Sequence, residues 1–158
     1  MTEQQQSLQS VYAPFAAAMR EDDFGRPVDP EAWPAELIAA HIILTNDLLT
    51  DAARSVVSGE VPVYDNGPAH DGQRLREVLV RTGALSELAH EVERSASDLQ
   101  AAYEQLSANQ RQTLLRTRLS HNGAVVVDES RPIGATIQHS ASEHVTVHLS
   151  QLLDLRDD

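Results

Sequence analysis

Two histidines, His144 and His148, are four residues apart, a spacing that puts both side chains on one face of an α-helix. Neutral imidazoles at this spacing can bind one cation, and imidazole suits zinc, nickel, iron or copper. The spacing alone is weak evidence, because the chain has 7 histidines. Its meaning depends on the element that holds the pair and on whether a further histidine lies nearby.

The elements that would position such a site are four amphipathic segments, in which apolar residues recur at steps of three and four. They span about residues 4–20, 34–58, 73–107 and 133–155. Gly59 follows the second segment and is typical of a helix stop, and Thr82-Gly83 predicts a break in the third. Four segments of this kind favour a bundle of helices.

The connections between these segments differ in character. Residues 59–72 hold three glycines and two prolines and are predicted to form a loop. Residues 116–128 contain three consecutive valines after His121-Asn122-Gly123, a pattern typical of a hairpin turn. We therefore expect one all-α domain over residues 1–158, an antiparallel four-helix bundle with a short extended or hairpin excursion before the last helix.

A third histidine, His41, stands in the apolar stripe of the second helix, as His144 and His148 stand in that of the fourth. A polar group that faces a core needs a partner. Three neutral imidazoles could share one metal ion and leave a fourth coordination position open for water or substrate. The alternative is that all three are core histidines, hydrogen-bonded to neighbouring groups.

Composition excludes several classes of function. The 12 basic residues are all arginine and there is no cysteine, so lysine chemistry and cysteine nucleophiles are ruled out. The formal net charge of −12 would repel nucleic acid and anionic lipid, and we expect neither as a partner. Without a signal-peptide pattern at Met1 or a long apolar run, the sequence favours a cytoplasmic protein.

Trp33, Glu36, Leu37 and His41, followed much later by Glu143-His144-x-x-x-His148-x-x-Gln151, resemble the DinB-type superfamily of four-helix bundles, in which a histidine triad binds a divalent metal. The resemblance covers nearly the whole chain in order and length. It is nearest to the branch that contains mycothiol-dependent maleylpyruvate isomerase and related thiol transferases. It places the metal ligands at His41, His144 and His148. Many DinB-type chains follow the last ligand with Arg-Gly-Gln, where this chain has Leu149-Ser150-Gln151.

The resemblance implies a divalent-metal-dependent S-transferase or isomerase that uses zinc or nickel, with a small thiol such as mycothiol as co-substrate and a small electrophile as substrate. A non-catalytic module that binds a small ligand or a partner is the first alternative. The second is a hydrolase that uses metal-bound hydroxide on the same triad. Phe15 and Met19, taken as exposed residues of the first helix, would leave room for a homodimer.

The remaining polar candidates receive lesser roles. Gln151 lies three residues beyond His148 on nearly the same face, and we expect it to hydrogen-bond a ligand or a substrate, as a cofactor-binding residue. His139 is five residues before His144 and so lies on a different face of the helix. We expect it to face solvent or to contact a metal ligand from outside. His70 and His121 fall in turn-like segments and are expected to be exposed.

Overall fold

The computed structural model describes residues 8–21, 23–121 and 124–156, and these form a mostly helical fold with an added three-stranded sheet. The helices are α1 (Leu8–Glu21), α2 (Ala35–Val57), α3 (Gly72–Thr82), α4 (Leu85–Gln105), α5 (Ala108–Arg111), α6 (Ile133–His139) and α7 (Val145–Asp154). The strands are β1 (Tyr64–Asp65), β2 (Leu114–His121) and β3 (Ala124–Pro132). A 3-10 turn spans Gly67–His70, and a π-helical turn spans Ser140–His144 and joins α6 to α7.

The predicted helical segments are confirmed where the structure describes them. Residues 4–7 of the first segment lie outside the described residues, and α1 ends one residue past the predicted limit. The second segment becomes α2, and Gly59 follows it with a φ of 92°. The third segment breaks as predicted, because Gly83 takes a φ of 86° that a residue with a Cβ rarely adopts.

The expectation of an all-α fold is corrected by the sheet. β2 and β3 pair antiparallel from Leu114↔Pro132 to His121↔Ala124, so the extended region is longer than the predicted 116–128. Asn122 and Gly123, which suggested the turn, lie outside the described residues. β1 adds a parallel strand from the segment predicted as a loop. That pairing joins residues about 50 positions apart, and no local pattern predicts it.

α2 lies at the centre of the helical packing, in contact with α3, α4, α7 and the 3-10 turn, while α1 packs on α4 and α7. α2 is buried on most of its circumference, a wider surface than the inward stripe that the sequence predicts, which consists of Leu37, His41, Leu44, Leu48, Ala52 and Val56. Ile38, Ile42 and Leu49 are fully buried, whereas Leu37 and Leu44 of the predicted stripe are only partly covered. A helix apolar on nearly every side is typical of a central position.

Two residues offered as a dimer surface are instead part of the core. Phe15 is 0% exposed and Met19 is 2% exposed, and both belong to the hydrophobic cluster on the helix that packs on α4. These side chains therefore give no support to a homodimer. Among the described residues, no helix combines the length and apolarity that a bilayer crossing demands.

Candidate metal centre

Three histidines from two helical segments meet at one point. Nε2 of His144 lies 2.9 Å from Nε2 of His41 and 3.0 Å from Nε2 of His148. One nitrogen from each ring can be chosen so that all three lie within 4.8 Å of one another. His41 and His148 are buried and His144 is partly buried. The three side chains are therefore close enough to hold a metal ion.

In His41 and His148, the contact made by Nδ1 determines which ring nitrogen is protonated. Nδ1 of His41 is 2.8 Å from the carbonyl oxygen of Ala69, and Nδ1 of His148 is 2.7 Å from Oε1 of Gln151. A carbonyl oxygen can only accept a hydrogen bond, so each Nδ1 bears the proton. In a neutral ring the opposite nitrogen then presents a lone pair. Nε2 of His41 and Nε2 of His148 thus both direct lone pairs at His144.

His144 cannot satisfy both of these lone pairs with a proton. If its Nε2 bears hydrogen, that single N–H can be donated well to only one of the two acceptors. If its Nε2 bears none, three lone pairs face one another. Nδ1 of His144 is buried and has no hydrogen-bond partner among the described residues, so nothing there fixes its tautomer. A cation would accept all three lone pairs, and imidazole nitrogens suit zinc, nickel, iron and copper.

His144 is the last residue of the π-helical turn between α6 and α7. A π turn takes in one more residue than an α turn and so rotates the residues that follow it relative to those before. Ile137 before the turn, Ala141 within it and His148 after it are all buried, while Glu143 stays exposed. The segment therefore keeps one continuous inward face, as the sequence predicted, on a helix that is not a regular α-helix.

Aromatic rings surround the triad. The Trp33 ring centroid is 5.0 Å from that of His41 and 6.4 Å from that of His148, to which it is nearly parallel. The His70 ring is 4.7 Å from His41 and 5.8 Å from Trp33. His70 is half-buried, so the expectation that it is simply exposed was wrong. The 3-10 turn holds it over the site, a placement that depends on contacts distant in sequence.

The triad stays neutral at pH 7. Burial lowers the pKa of His41 well below its ordinary value, and the nearby His144 and His148 lower it further. Burial, followed by the charge of His148, lowers the pKa of His144 to about 3. Burial is also the main cause that lowers the pKa of His148, against a hydrogen bond to Gln151 that raises it. Among the described residues no carboxylate joins this cluster.

The other candidate residues lie outside the triad. Gln151 is exposed and contacts Nδ1 of His148, so it touches a ring of the triad. His139 is exposed and lies 3.4 Å from the carboxylate of Glu143, as expected for side chains that point outward. His121 is exposed at the end of β2, as predicted. The role of the Ala69 carbonyl could not be predicted from the sequence, because every residue has a backbone carbonyl and its residue type does not mark it.

A separate groove between α2, α3 and α4 encloses about 390 Å³ away from the triad. At its centre the Arg94 guanidinium pairs with Glu91, with Asp98 at 2.8 Å and with Asp47 at 3.5 Å. Burial raises the pKa of Asp47, and the charge of Arg94 opposes that rise. One guanidinium thus pairs with three carboxylates, and the groove is lined by an ion-pair network between α2 and α4.

Compared with protein-family models, with curated proteins and with solved structures, the chain matches none. The resemblance to DinB-type bundles consequently rests on the residues quoted above and stays a prediction. The geometry of the three histidines does not depend on this resemblance, because it consists of their distances, their hydrogen bonds and their burial.

Proposed function

We propose that the chain is a divalent-metal-dependent enzyme, an antiparallel four-helix bundle of the DinB-type superfamily, that transfers a small thiol to an electrophile or isomerises a substrate with its help. The observation that supports a metal is the pair of fixed lone pairs, on His41 and His148, that meet at Nε2 of His144. Zinc and nickel both suit three imidazole nitrogens. The resemblance adds mycothiol as the co-substrate.

In this proposal the chain supplies the ligands and their orientation. His41, His144 and His148 would hold the ion, and the Ala69 carbonyl and Gln151 would keep two of the rings in the required tautomer. Once bound, the ion would act as a Lewis acid that lowers the pKa of a thiol from about 8.5, so that thiolate forms at neutral pH. Trp33 would cover one side of the site and limit the access of water.

Charge balance supports an anionic ligand in the open position. Three neutral imidazoles leave the two charges of a divalent ion uncompensated, and no carboxylate of the described residues belongs to the cluster. An anion such as a thiolate would restore the balance. The chain has no cysteine, so this thiol has to come from another molecule.

Metal content tests the proposal directly. Protein expressed without an affinity tag is expected to contain about one zinc or nickel ion per chain by elemental analysis. His41→Ala should reduce occupancy to background, because it removes one of three ligands. His90→Ala is the matched control, since His90 is exposed on α4, and it should keep the parent occupancy. Equal occupancy in the two variants would refute the triad.

Thiol dependence then separates the possible reactions. A metal-loaded parent that consumes thiol with a panel of electrophiles, and does not react without thiol, would support the transferase. Turnover without thiol would instead favour hydrolysis by hydroxide on the same ligands. A protein that holds metal and turns over no substrate in either assay would favour the binding module.

A further inference from the structure

We infer that His70 recognises the ligand at the triad, by donating a ring N–H to an anionic atom held at the fourth coordination position. This inference rests on the proposed function, and it assigns a role to a residue that the metal site itself does not require. It also names the ligand class, a small anion or the anionic end of a larger molecule.

The position of His70 is the first argument. Its ring lies 4.7 Å from the His41 ring at an angle of 50°, and 5.8 Å from the Trp33 ring. It is not among the residues whose ligand atoms lie within 4.8 Å of one another, in the part of the chain that the structure describes. His70 therefore lies against the triad without being one of its three converging ligands.

The unused hydrogen-bonding capacity of His70 is the second argument. Neither ring nitrogen of His70 has a hydrogen-bond partner among residues 8–21, 23–121 and 124–156. In contrast, Nδ1 of His41 and Nδ1 of His148 each have one. The side chain is half-buried, so part of it remains exposed to solvent. A neutral imidazole always has one N–H to donate.

Hydrogen bonds anchor the backbone segment that holds His70, as a recognition residue requires. The amide of Gly67 donates to Asp65 at 2.8 Å, and the amide of Ser120 on β2 donates to the side chain of Asn66 at 2.7 Å. The amide of Asn66 donates to the carbonyl of Arg118 at 3.1 Å. The hairpin thus anchors the 3-10 turn, whose consecutive residues Ala69 and His70 both contact the ring of His41.

The electrostatics of the site select an anion. The cluster that His70 lies against consists of three neutral imidazoles, with no carboxylate among its members in the described chain. A divalent ion here would face no negative side chain. A hydrogen-bond donor beside the open position would then favour an anionic atom over a neutral one, because bonds to charged acceptors are about twice as strong.

The test uses full-length protein loaded with cobalt(II), whose visible spectrum reports ligands at the open position, and azide as the probe anion. His70→Ala should bind cobalt within about 3-fold of the parent and bind azide roughly 10-fold more weakly, as expected for the loss of a hydrogen bond to an anion. His70→Gln, which keeps an N–H donor, should restore azide affinity to within about 3-fold of the parent. His90→Ala should match the parent in both measurements.

Two results would overturn the inference. If azide affinity is the same in His70→Ala and in the parent, His70 does not face the open position. If His70→Ala loses cobalt, the residue is a fourth metal ligand. Neither result would refute the proposed function, which is tested separately by the metal content of the parent and of His41→Ala and by thiol consumption.

Discussion

At the scale of single residues, the site depends on which nitrogen of each imidazole bears the proton. The carbonyl oxygen of Ala69 and Oε1 of Gln151 contact Nδ1 of His41 and of His148, and both rings are therefore held as acceptors at Nε2. Partners of this kind typically raise ligand basicity and hold the ring in place. The Ala69 contact is made by backbone, so Gln151 is the partner that substitution can remove.

Gln151→Ala should weaken metal binding by roughly 10- to 100-fold, because His148 loses the acceptor that holds its proton on Nδ1. Thermal stability should change little, since Gln151 is exposed. Gln151→Glu should keep most of the affinity, because a carboxylate accepts the same hydrogen bond. Competition with a chromogenic chelator measures each affinity.

The matched control is Gln138→Ala on the same helical segment, where the amide donates to the hydroxyl of Tyr103, away from the triad. This variant should bind metal as the parent does. If Gln151→Ala and Gln138→Ala have equal affinities, the contact with His148 has no part in holding the ring, and Gln151 would have to act on another molecule.

At the scale of elements, α2 is the helix on which both the site and the core depend. Five residues beyond His41, Asn46 accepts a hydrogen bond from the Tyr12 hydroxyl on α1 at 2.7 Å and donates to the Ser95 hydroxyl on α4 at 3.0 Å. All three side chains are buried. This polar layer fixes the order in which the helices pack, because an unmade bond here would leave a buried polar group unpaired.

Asn46→Ala should lower the free energy of unfolding by roughly 2 to 4 kcal/mol, since it leaves the Tyr12 hydroxyl without its partner and opens a small cavity. Urea denaturation followed by circular dichroism measures the change. Asn109→Ala on the exposed face of α5 is the control, and it should change the stability by less than about 0.5 kcal/mol. A loss below about 1 kcal/mol for Asn46→Ala would contradict a structural role for the layer.

The sequence predicted those elements whose limits are set locally. Gly59 and Gly83 follow the ends of helices as expected, since glycine readily adopts the positive φ at which a helix ends. It did not predict β1, the polar layer around Asn46 or the placement of His70 beside His41, because each depends on residues tens of positions away. The triad could be anticipated because His41, His144 and His148 replace apolar residues on amphipathic stripes.

At the scale of the whole molecule, a chain with a formal charge of −12 encloses a cluster of uncharged bases. The pKa values of His41, His144 and His148 are all lowered, chiefly by burial. In the unfolded chain each of these histidines would titrate near its ordinary pKa of about 6.5. Below that pH the unfolded state binds more protons than the folded state, so acid should destabilise the protein.

With metal removed by a chelator, the free energy of unfolding should fall between pH 6.5 and pH 5 by about 1.4 kcal/mol per pH unit for each ring that stays neutral. His41 and His144 alone would account for roughly 3 to 4 kcal/mol over this window, which lies above the range in which most carboxylates titrate. Urea denaturation at several pH values measures the slope. His144→Asn should reduce it by about one ring's share, whereas Gln138→Ala, which removes no titrating group, should keep the parent slope. A stability that is flat from pH 7 to pH 5 would mean that the folded protein protonates these rings readily, and that the triad is open to water rather than closed around its converging lone pairs.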